Sequence, residues 1–246
     1  MTKKVALVTG GMGCIGNAIC RALHDQGIQV VAAYSRKHEE AQKWQKDQEA
    51  QGYHFAIAYG DVADFHSSEV MVKKIKAEVG PIDILVNNAG IIHDAMCARM
   101  KKEEWDAVIN VDLNSLFYVT HALINDMKTR KFGRIINISS INGQKGGYGQ
   151  VNYSAAKAGM HGFTKALAQE VAKDGITVNT ISPGYVETEM VMSVPEQVRN
   201  KILAEIPMGR FASPEEVARV AVFLADENNG YITGANISIN GGHYMS

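Results

Sequence analysis

A serine, a tyrosine and a lysine in one stretch of the chain have the types and spacing that acid catalysis requires. Tyr153 and Lys157 are four residues apart, so their side chains share one face of a helix. Ser140 precedes Tyr153 by thirteen residues, across a glycine-rich loop that lets it fold back over that face. A free tyrosine has a pKa near ~10, and a neighbouring lysine cation lowers it, so the phenol can protonate a developing alkoxide. With the serine hydroxyl holding the substrate oxygen, the three residues predict carbonyl reduction by a hydride donor.

The elements that must position these residues alternate between strands and helices. The spacing Y-x-x-x-K is common, so the alternative is a helix that carries both residues without a catalytic role. The surrounding elements decide between a catalytic and a non-catalytic helix. Apolar runs predict strands over 5–8, 28–33, 55–58, 82–86, 134–138, 177–181 and 237–239. Amphipathic stretches predict helices that include 15–26, 38–51, 152–172 and 214–225. Strict alternation predicts an α/β fold in a single domain of residues 1–246, a Rossmann-type doubly wound parallel sheet with helices on both faces.

The segment from 186 to 210 interrupts this alternation between a strand and the last helix. It contains the flexible apolar side chains Met190, Met192 and Met208. Such residues suit a lid over a long apolar ligand. A helical excursion packed on the body of the domain explains them equally well, and the sequence leaves both interpretations open.

The composition indicates an ordinary soluble globular protein. Of 246 residues, 46% are hydrophobic and 21% are charged, and the net charge is −1, so we expect neither a nucleic-acid nor a membrane partner. The start of the chain enters a strand directly, and we expect no signal peptide and no run long enough to cross a bilayer. Three cysteines without a C-x-x-C pair predict a reduced, cytoplasmic protein. Eight scattered histidines predict no metal site.

A glycine-rich turn, T-G-G-M-G-C-I-G, stands between the first predicted strand and the first helix. Backbone N–H groups at a helix N-terminus bind pyrophosphate, and the strand–turn–helix context is the one that a dinucleotide site needs. A plain tight turn is the less favoured alternative. The predicted cofactor contacts in this turn are Gly10, Met12, Gly13, Cys14, Ile15 and Gly16.

The residues after the second strand favour NADPH over NADH. An acidic residue there would bind the ribose 2′-hydroxyl, whereas a basic one accepts a 2′-phosphate. The usual acidic position holds Tyr34, and the next carboxylate is Glu39. Ser35 can donate a hydrogen bond, and Arg36 can bind phosphate as a fork. The alternative is that Arg36 and Lys37 are solvated surface charges.

With these motifs in place, the chain is similar to the short-chain dehydrogenase/reductase family, whose turn reads T-G-x-x-x-G-x-G. Gly10 and Gly16 match the outer glycines, and Cys14 stands at the middle glycine position. A Cβ atom at Cys14 would crowd the pyrophosphate or the nicotinamide. The resemblance extends over nearly the whole chain and implies a homotetramer with nicotinamide-dependent activity. It implies further cofactor contacts from Asp61, Val62, Asn88, Ala89, Gly90, Tyr153, Lys157, Pro183, Gly184 and Thr188.

Asp112 replaces the asparagine that the family pattern N-x-x-S-x-F places in a proton relay. Counting back from Phe117 puts Asp112 at that position, whereas Asn114 would face elsewhere on the helix. A carboxylate can accept a hydrogen bond from water or lysine, and its charge favours a protonated Lys157. We therefore predict that Asp112 serves the relay as a catalytic residue. The alternative is a structural role.

Within the family, the stretch around Tyr153 is most similar to acetoacetyl-CoA reductases, which make (R)-3-hydroxybutyryl-CoA for polyhydroxyalkanoate storage. The resemblance implies that Ser140, Gln150, Tyr148 and Tyr185 contact the acetoacetyl group. Gln150 would hydrogen-bond an acyl carbonyl, and the two tyrosines would wall a short acyl chain. Simple packing of each tyrosine is the alternative. Gly147 departs from the bulkier polar residue expected there, which would loosen the selection of chain length.

Two other functions are open. A 3-oxoacyl-[acyl carrier protein] reductase performs the same chemistry and needs a basic surface, for which Arg99, Lys101 and Lys102 are candidates. An inactive dinucleotide-binding scaffold is kept open by the departures at Cys14 and Asp112. Turnover of the two thioesters separates these possibilities.

Overall fold

Each of the seven apolar runs forms a strand, within two residues of the predicted bounds. The computed structural model describes residues 3–35 and 37–245, apart from the side chain of Met190. The strands are β1 (Val5–Val8), β2 (Gln29–Tyr34), β3 (Ala56–Tyr59), β4 (Ile82–Asn87), β5 (Gly133–Ile138), β6 (Ile176–Pro183) and β7 (Asn236–Ile239). The helices are α1 (Cys14–Asp25), α2 (His38–Glu49), α3 (Phe65–Glu78), α4 (Lys102–Ile109), α5 (Ser115–Arg130), α6 (Asn142–Lys145), α7 (Val151–Val171), α8 (Glu189–Met192), α9 (Glu196–Glu205) and α10 (Pro214–Ala225).

The strands form one parallel sheet in the order β3-β2-β1-β4-β5-β6-β7. Leu7 of β1 lies in register with Val31 on one side and with Leu85 on the other. The order reverses direction between β1 and β4, and ligands of such sheets bind beyond the carboxyl ends of the strands at this point. The predicted α/β Rossmann-type fold is confirmed.

Helices pack on both faces of the sheet through two apolar layers, as is usual for a parallel sheet. On one face, Ile19 of α1 and Val217 of α10 belong to one buried cluster. On the other face, Met71 of α3, Leu123 of α5 and Val171 of α7 belong to a second cluster. Each helix therefore anchors one apolar side, which leaves the loops at the carboxyl edge of the sheet for chemistry.

A chain of buried polar side chains joins α7 to the middle of the sheet. The Asn87 amide donates to Asn137 Oδ1 at 2.8 Å, and the Asn137 amide donates to Thr164 Oγ1 at 2.8 Å. The hydroxyls of Thr164 and Thr180 lie 2.8 Å apart. Because buried polar groups are costly to leave unpaired, these bonds fix the height of α7 on β4, β5 and β6.

The continuous helical stretch Lys102–Arg130 joins α4 to α5 through a π-helical turn, Asn110–Asn114. By length and composition alone this stretch is long and apolar enough to span a bilayer, so the expectation that no such run exists was wrong by that measure. Asp112 is fully buried inside it. A core helix of a globular domain passes the same test, and α5 contributes Val119, Leu123 and Met127 to the second apolar cluster.

The segment from 186 to 210 folds into the two short helices α8 and α9. Bridges between Val186 and Ala212 hold its base beside α10. All ten residues of α9 are described, and none of them is buried. The segment therefore contains regular helices, as expected for a helical excursion packed on the domain. The absence of buried residues in α9 is also what a lid over the ligand requires.

Candidate active site

Helix α7 places Tyr153 and Lys157 on one face, as their spacing predicts. The Lys157 ammonium nitrogen lies 5.4 Å from the centroid of the Tyr153 ring. The Lys157 side chain is only 4% exposed, and its Nζ donates a hydrogen bond to the Ile138 carbonyl at 3.0 Å. Tyr153 is half-buried, so its phenol is open to a ligand. The structure thus pairs a buried cation with an accessible phenol.

Ser140 follows the end of β5, next to a serine that contacts α7. The hydroxyl of the neighbouring Ser139 donates to the Lys157 carbonyl at 2.8 Å. A Cβ atom at Gly143 would lie 2.7 Å from the Lys157 carbonyl carbon, so only glycine lets α6 approach α7 this closely. Ser140 Oγ accepts the N–H of Asn142 at 3.1 Å, which leaves its own hydrogen free for a substrate oxygen.

Asp112 reaches Lys157 directly from the π-helical turn. Its Oδ2 lies 3.2 Å from Lys157 Nζ, and its Oδ1 accepts the Ile91 N–H at 2.8 Å. A Cβ atom at Gly90 would lie 2.9 Å from Asp112 Oδ2, so glycine leaves the space for this pair. The motif comparison therefore located Asp112 correctly, and its part in a water relay stays a prediction.

The electrostatics of this pair favour an ammonium at Lys157. Burial lowers the pKa of Lys157, but the Asp112 carboxylate and the Tyr153 oxygen outweigh it, and the pKa lies above its ordinary value. Burial raises the pKa of the Asp112 carboxyl, which Lys157 and the Ile91 N–H partly offset. Lys157 consequently keeps a positive charge beside the phenol at neutral pH.

The glycine-rich turn connects β1 to α1 and is organised around Thr9, which the sequence analysis did not single out. Thr9 Oγ1 accepts the N–H groups of both Asn88 and Ala89 at 3.0 Å. The Asn88 amide donates to the carbonyls of Thr9 and Gly10 at 3.0 and 3.1 Å. A Cβ atom at Gly16 would lie 2.2 Å from the Gly10 carbonyl oxygen. The two outer glycines are therefore required by close backbone approach.

This turn fits a dinucleotide pyrophosphate. The N-cap residue of α1 is Gly13, no side chain caps the helix, and no acidic residue stands in its first turn. Its first N–H groups are thus free for an anion, and the helix dipole favours negative charge there. Met12 and Ile15 belong to the same turn, and Ile15 also packs against the apolar cluster below α1.

Cys14 opens α1 with its thiol directed toward the segment from 186 to 210. Its Sγ lies 3.6 Å from the Glu187 carbonyl oxygen. Burial, followed by the charges of Glu215 and Glu189, raises the pKa of the Cys14 thiol. The thiol therefore stays protonated and donates weakly to that carbonyl. The predicted crowding of the pyrophosphate stays a prediction.

The residues at the end of β2 and after it form a polar surface. Tyr34 stands at the position where an acidic residue is usual, so no carboxylate is present there. The Tyr34 hydroxyl hydrogen-bonds to Nδ1 of His38, which was not among the predicted cofactor contacts. Ser35 and Lys37 are exposed, and Lys37 Nζ lies 3.7 Å from Glu40 Oε1. Arg36, the predicted phosphate fork, lies outside the described residues.

The other predicted cofactor residues lie at the carboxyl ends of the strands. Val62 is buried, and Asp61 Oδ1 accepts the Ala63 N–H at 3.0 Å. Pro183 ends β6, and the Gly184 N–H donates to the Ile239 carbonyl at 2.8 Å. Thr188 Oγ1 caps α8 by accepting the Val191 N–H at 3.3 Å. Their part in binding the cofactor stays a prediction.

The side chains predicted to contact the substrate do not form one closed pocket in this structure. Tyr148 is 92% exposed and does not wall a closed pocket here. The Gln150 side chain accepts from the Asn142 amide at 2.7 Å and donates to Asp94 Oδ1 at 2.9 Å, so its amide is already engaged on both sides. Tyr185 stacks on His243, with ring centroids 5.8 Å apart. No motif in the sequence pointed to these three partners.

The Asn142–Gln150 contact also explains why Gly147 is tolerated. A Cβ atom at Gly147 would lie 2.6 Å from Gln150 Oε1 and 2.9 Å from the Asn142 amide nitrogen. The amide pair thus occupies the space of the missing side chain.

Across the described residues, no cluster of three histidine, cysteine or acidic side chains has the arrangement of a metal site.

Comparison with known proteins agrees with this geometry. The short chain dehydrogenase family matches residues 4–199 of the chain. An acetoacetyl-CoA reductase of Cupriavidus necator is 51% identical over 245 residues, covering 100% of both chains. An acetoacetyl-CoA reductase of Allochromatium vinosum is 53% identical over 243 residues, covering 98% of this chain and 99% of the relative. A 3-oxoacyl-[acyl-carrier-protein] reductase of Pseudomonas aeruginosa is 43% identical over 243 residues, covering 99% and 98%.

Proposed function

The chain belongs to the short-chain dehydrogenase/reductase family, and on this premise we propose that it reduces acetoacetyl-CoA to (R)-3-hydroxybutyryl-CoA with NADPH. The observation that carries the proposal is the buried Lys157 ammonium, held between Asp112 and the Tyr153 ring. This arrangement suits protonation of a carbonyl oxygen. The relatives described above supply the substrate, because two chains about half identical to this one over their full length bear that activity in their names.

The residues of the chain perform the proton half of the reaction. A nicotinamide cofactor, when bound, supplies the hydride that forms the new C–H bond at the 3-keto carbon. Tyr153 gives its hydroxyl proton to the ketone oxygen, which forms the O–H bond. Ser140 donates a hydrogen bond that orients this oxygen. Lys157 stabilises the negative charge that remains on the Tyr153 oxygen, and Asp112 retains the lysine proton.

The preference for NADPH rests on the surface after β2. Tyr34 occupies the position of the acidic residue that would repel a 2′-phosphate. Ser35 and Lys37 are exposed beside it, and Arg36 adds a further cation. We expect Arg36→Ala to raise the KM for NADPH far more than the KM for NADH. An unchanged preference would assign phosphate recognition to Ser35, Lys37 or the glycine-rich turn.

The remaining parts of the proposal concern the assembly and its role. We place the enzyme in the cytoplasm, as a homotetramer that makes the precursor of polyhydroxybutyrate. An exposed aromatic surface on α3 and α5 supports self-association: Phe117 is 50% exposed and stacks on Phe65 at 6.2 Å. An apolar surface of this kind is typical of a contact with a second copy.

The decisive experiment compares two thioesters. Consumption of NADPH is followed by absorbance with acetoacetyl-CoA and with acetoacetyl-[acyl carrier protein], and the configuration of the product is determined. We expect turnover of the CoA thioester to give the R alcohol. Tyr153→Phe should nearly abolish turnover while leaving NADPH binding intact, and an appreciable residual rate would remove Tyr153 from its role.

A 3-oxoacyl-[acyl carrier protein] reductase is the second candidate, because the Pseudomonas aeruginosa relative bears that name. The basic surface that an acidic carrier needs is only partly present. Arg99 and Lys101 are available, but Lys102 is bonded to Asp106, which raises the pKa of Lys102. A higher kcat/KM for the carrier-bound substrate would favour this candidate. Cofactor binding without turnover of either thioester would favour the inactive scaffold.

A further inference from the structure

The last residues of the chain place one histidine between two oppositely charged groups. His243 Nε2 lies 2.7 Å from Lys145 Nζ and 3.3 Å from Glu205 Oε2. The His243 side chain is only 5% exposed, and its ring stacks on Tyr185 at an interplanar angle of 18°. Its Nδ1 is buried and has no hydrogen-bond partner within the described part of the chain. All polar contacts of the ring therefore pass through one nitrogen.

A single imidazole nitrogen cannot serve both neighbours. A lysine ammonium only donates, so a bond from Lys145 requires a lone pair on Nε2. An ionised carboxylate only accepts, so a bond to Glu205 requires a hydrogen on Nε2. The two contacts exclude each other. His243 thus has two hydrogen-bonded arrangements. The imidazolium always carries a hydrogen on Nε2 and so can bond only to Glu205, whereas Nε2 is bare only in the neutral ring with its hydrogen on Nδ1, so acidification favours the bond to Glu205.

The two partners belong to two segments that border the substrate. Lys145 ends α6, the turn that follows Ser140, and Glu205 ends α9 in the segment from 186 to 210. No residue of α9 is buried, but Ile206 directly after it is buried, and the Met208 N–H donates to the Gly241 carbonyl at 3.1 Å. The contact between His243 and Glu205 adds to these at the end of the helix. A cavity of about 330 Å³ beside it, lined partly by Tyr185, Ile206 and Met208, leaves room for movement.

We propose that His243 is a positioning residue that ties α9 to the C-terminal segment when Nε2 carries a proton, and ties α6 when Nε2 is bare. This rests on the proposed function only where it concerns the acyl thioester. In the protonated state the segment from 186 to 210 lies closed over the substrate, so acidification lowers the KM for acetoacetyl-CoA. The KM for NADPH and kcat stay nearly constant, because Tyr153 and Lys157 lie on α7.

The charges around His243 support this direction. Lys145 from α6, Glu205 from α9 and Tyr185 from the loop after β6 face the ring. Burial, followed by the charges of Glu205 and Asp94, raises the pKa of the Tyr185 phenol, so this neighbour stays neutral. Among the described residues, the charged groups in direct contact with the imidazole are the Lys145 ammonium and the Glu205 carboxylate.

Hydrogen exchange tests the tie without any substrate. Amide exchange of residues 194–206 is compared between pH ~6 and pH ~8, on either side of the ordinary histidine pKa, after correction for intrinsic rates. We expect about 1.5-fold to fivefold slower exchange at the lower pH in the wild-type protein, the range of a single partly exposed ion pair. His243→Gln keeps a donor and an acceptor but cannot take a charge, so its corrected exchange should not depend on pH. Glu205→Gln should lose the dependence as well.

A matched control and a kinetic arm complete the design. His66 on α3 is an 83% exposed histidine 3.9 Å from Glu69, and His66→Gln should retain the wild-type pH dependence. The KM for acetoacetyl-CoA should be about 1.5-fold to fivefold lower at pH ~6 than at pH ~8 in the wild type and equal at both in His243→Gln. Equal exchange at both pH values in the wild type, or a pH effect retained by His243→Gln, would overturn the proposal. Normal exchange behaviour without acetoacetyl-CoA turnover would instead refute the proposed function alone.

Discussion

Replacing Asp112 by Asn removes one negative charge from the reactive face and keeps the shape of the side chain. The amide oxygen still accepts the Ile91 N–H, so the change is confined to the ion pair with Lys157. At their separation of 3.2 Å and an effective dielectric constant of about 20, the two charges attract by ~5 kcal/mol before relaxation. Removing one partner of a buried pair costs about 3–5 kcal/mol. We expect the variant to lose ~3 kcal/mol of unfolding free energy at neutral pH.

The loss should depend on pH in a defined way. In the wild type the pKa of Lys157 is raised, so its ammonium stabilises the fold below the ordinary lysine pKa, and this contribution is lost as pH rises through the raised value. In Asp112→Asn burial is opposed by Tyr153 without the carboxylate, so the pKa of Lys157 falls below its value in the wild type. The difference in stability is therefore widest between the raised pKa of Asp112 and that of Lys157, and it closes at alkaline pH.

Urea unfolding over a series of pH values measures the stability, and the pH dependence of kcat measures the effect on the reaction. We expect the alkaline limb of kcat to move to lower pH in Asp112→Asn, because the neutral amine no longer stabilises the Tyr153 oxygen. The control is Asp83→Asn, at a pair with Arg130 near the amino end of β4, which should lower stability without moving the kcat profile. A variant with wild-type stability and an unmoved kcat profile would refute the assignment of Asp112.

Three glycine-related changes test the loops around this pair. Cys14→Gly should lower the Kd for NADPH about threefold to tenfold in a fluorescence titration, since it removes a Cβ atom from the turn; an equal or weaker affinity would show that the side chain does not crowd the cofactor. Gly143→Ala should lower kcat at least tenfold, because its Cβ would meet the Lys157 carbonyl carbon at 2.7 Å and push α6 away; wild-type kcat would contradict this. Gly147→Ala should displace the flexible end of Gln150, 2.6 Å from the new Cβ, and raise the KM for acetoacetyl-CoA a few-fold without changing the KM for NADPH; equal changes in both would argue for a general loss of structure.

Local geometry explains why the reactive centre was predictable from the sequence. Helical periodicity alone puts Tyr153 and Lys157 on one face, and counting back from Phe117 selects Asp112 over Asn114. In the structure Asn114 bonds to Asn110 instead, at 2.7 Å. The strands were predictable for the same reason, because each is a short apolar run buried on both faces.

The substrate side was less predictable because it depends on contacts between distant loops. The expectation that Gln150 binds an acyl carbonyl stays a prediction, and the bond from its amide to Asp94, a residue 56 positions away, was not foreseen. Lys145 and His243 are separated by 98 positions and meet only after the sheet has closed. No local sequence pattern predicts contacts between such distant residues. For the same reason, the motif around Tyr148 did not indicate that its ring is exposed to solvent.

The buried chain of amides and hydroxyls beneath α7 has a consequence for how this protein can change. Asn137 and Thr164 join the helix to the sheet, whereas Gly147 and the segment from 186 to 210 belong to the loops for which we propose contact with the substrate. The two sets of contacts share no side chain. Substitutions that retune the acceptable acyl group can therefore accumulate in the upper loops while the proton donor keeps its position. The architecture separates the evolution of selectivity from that of reactivity.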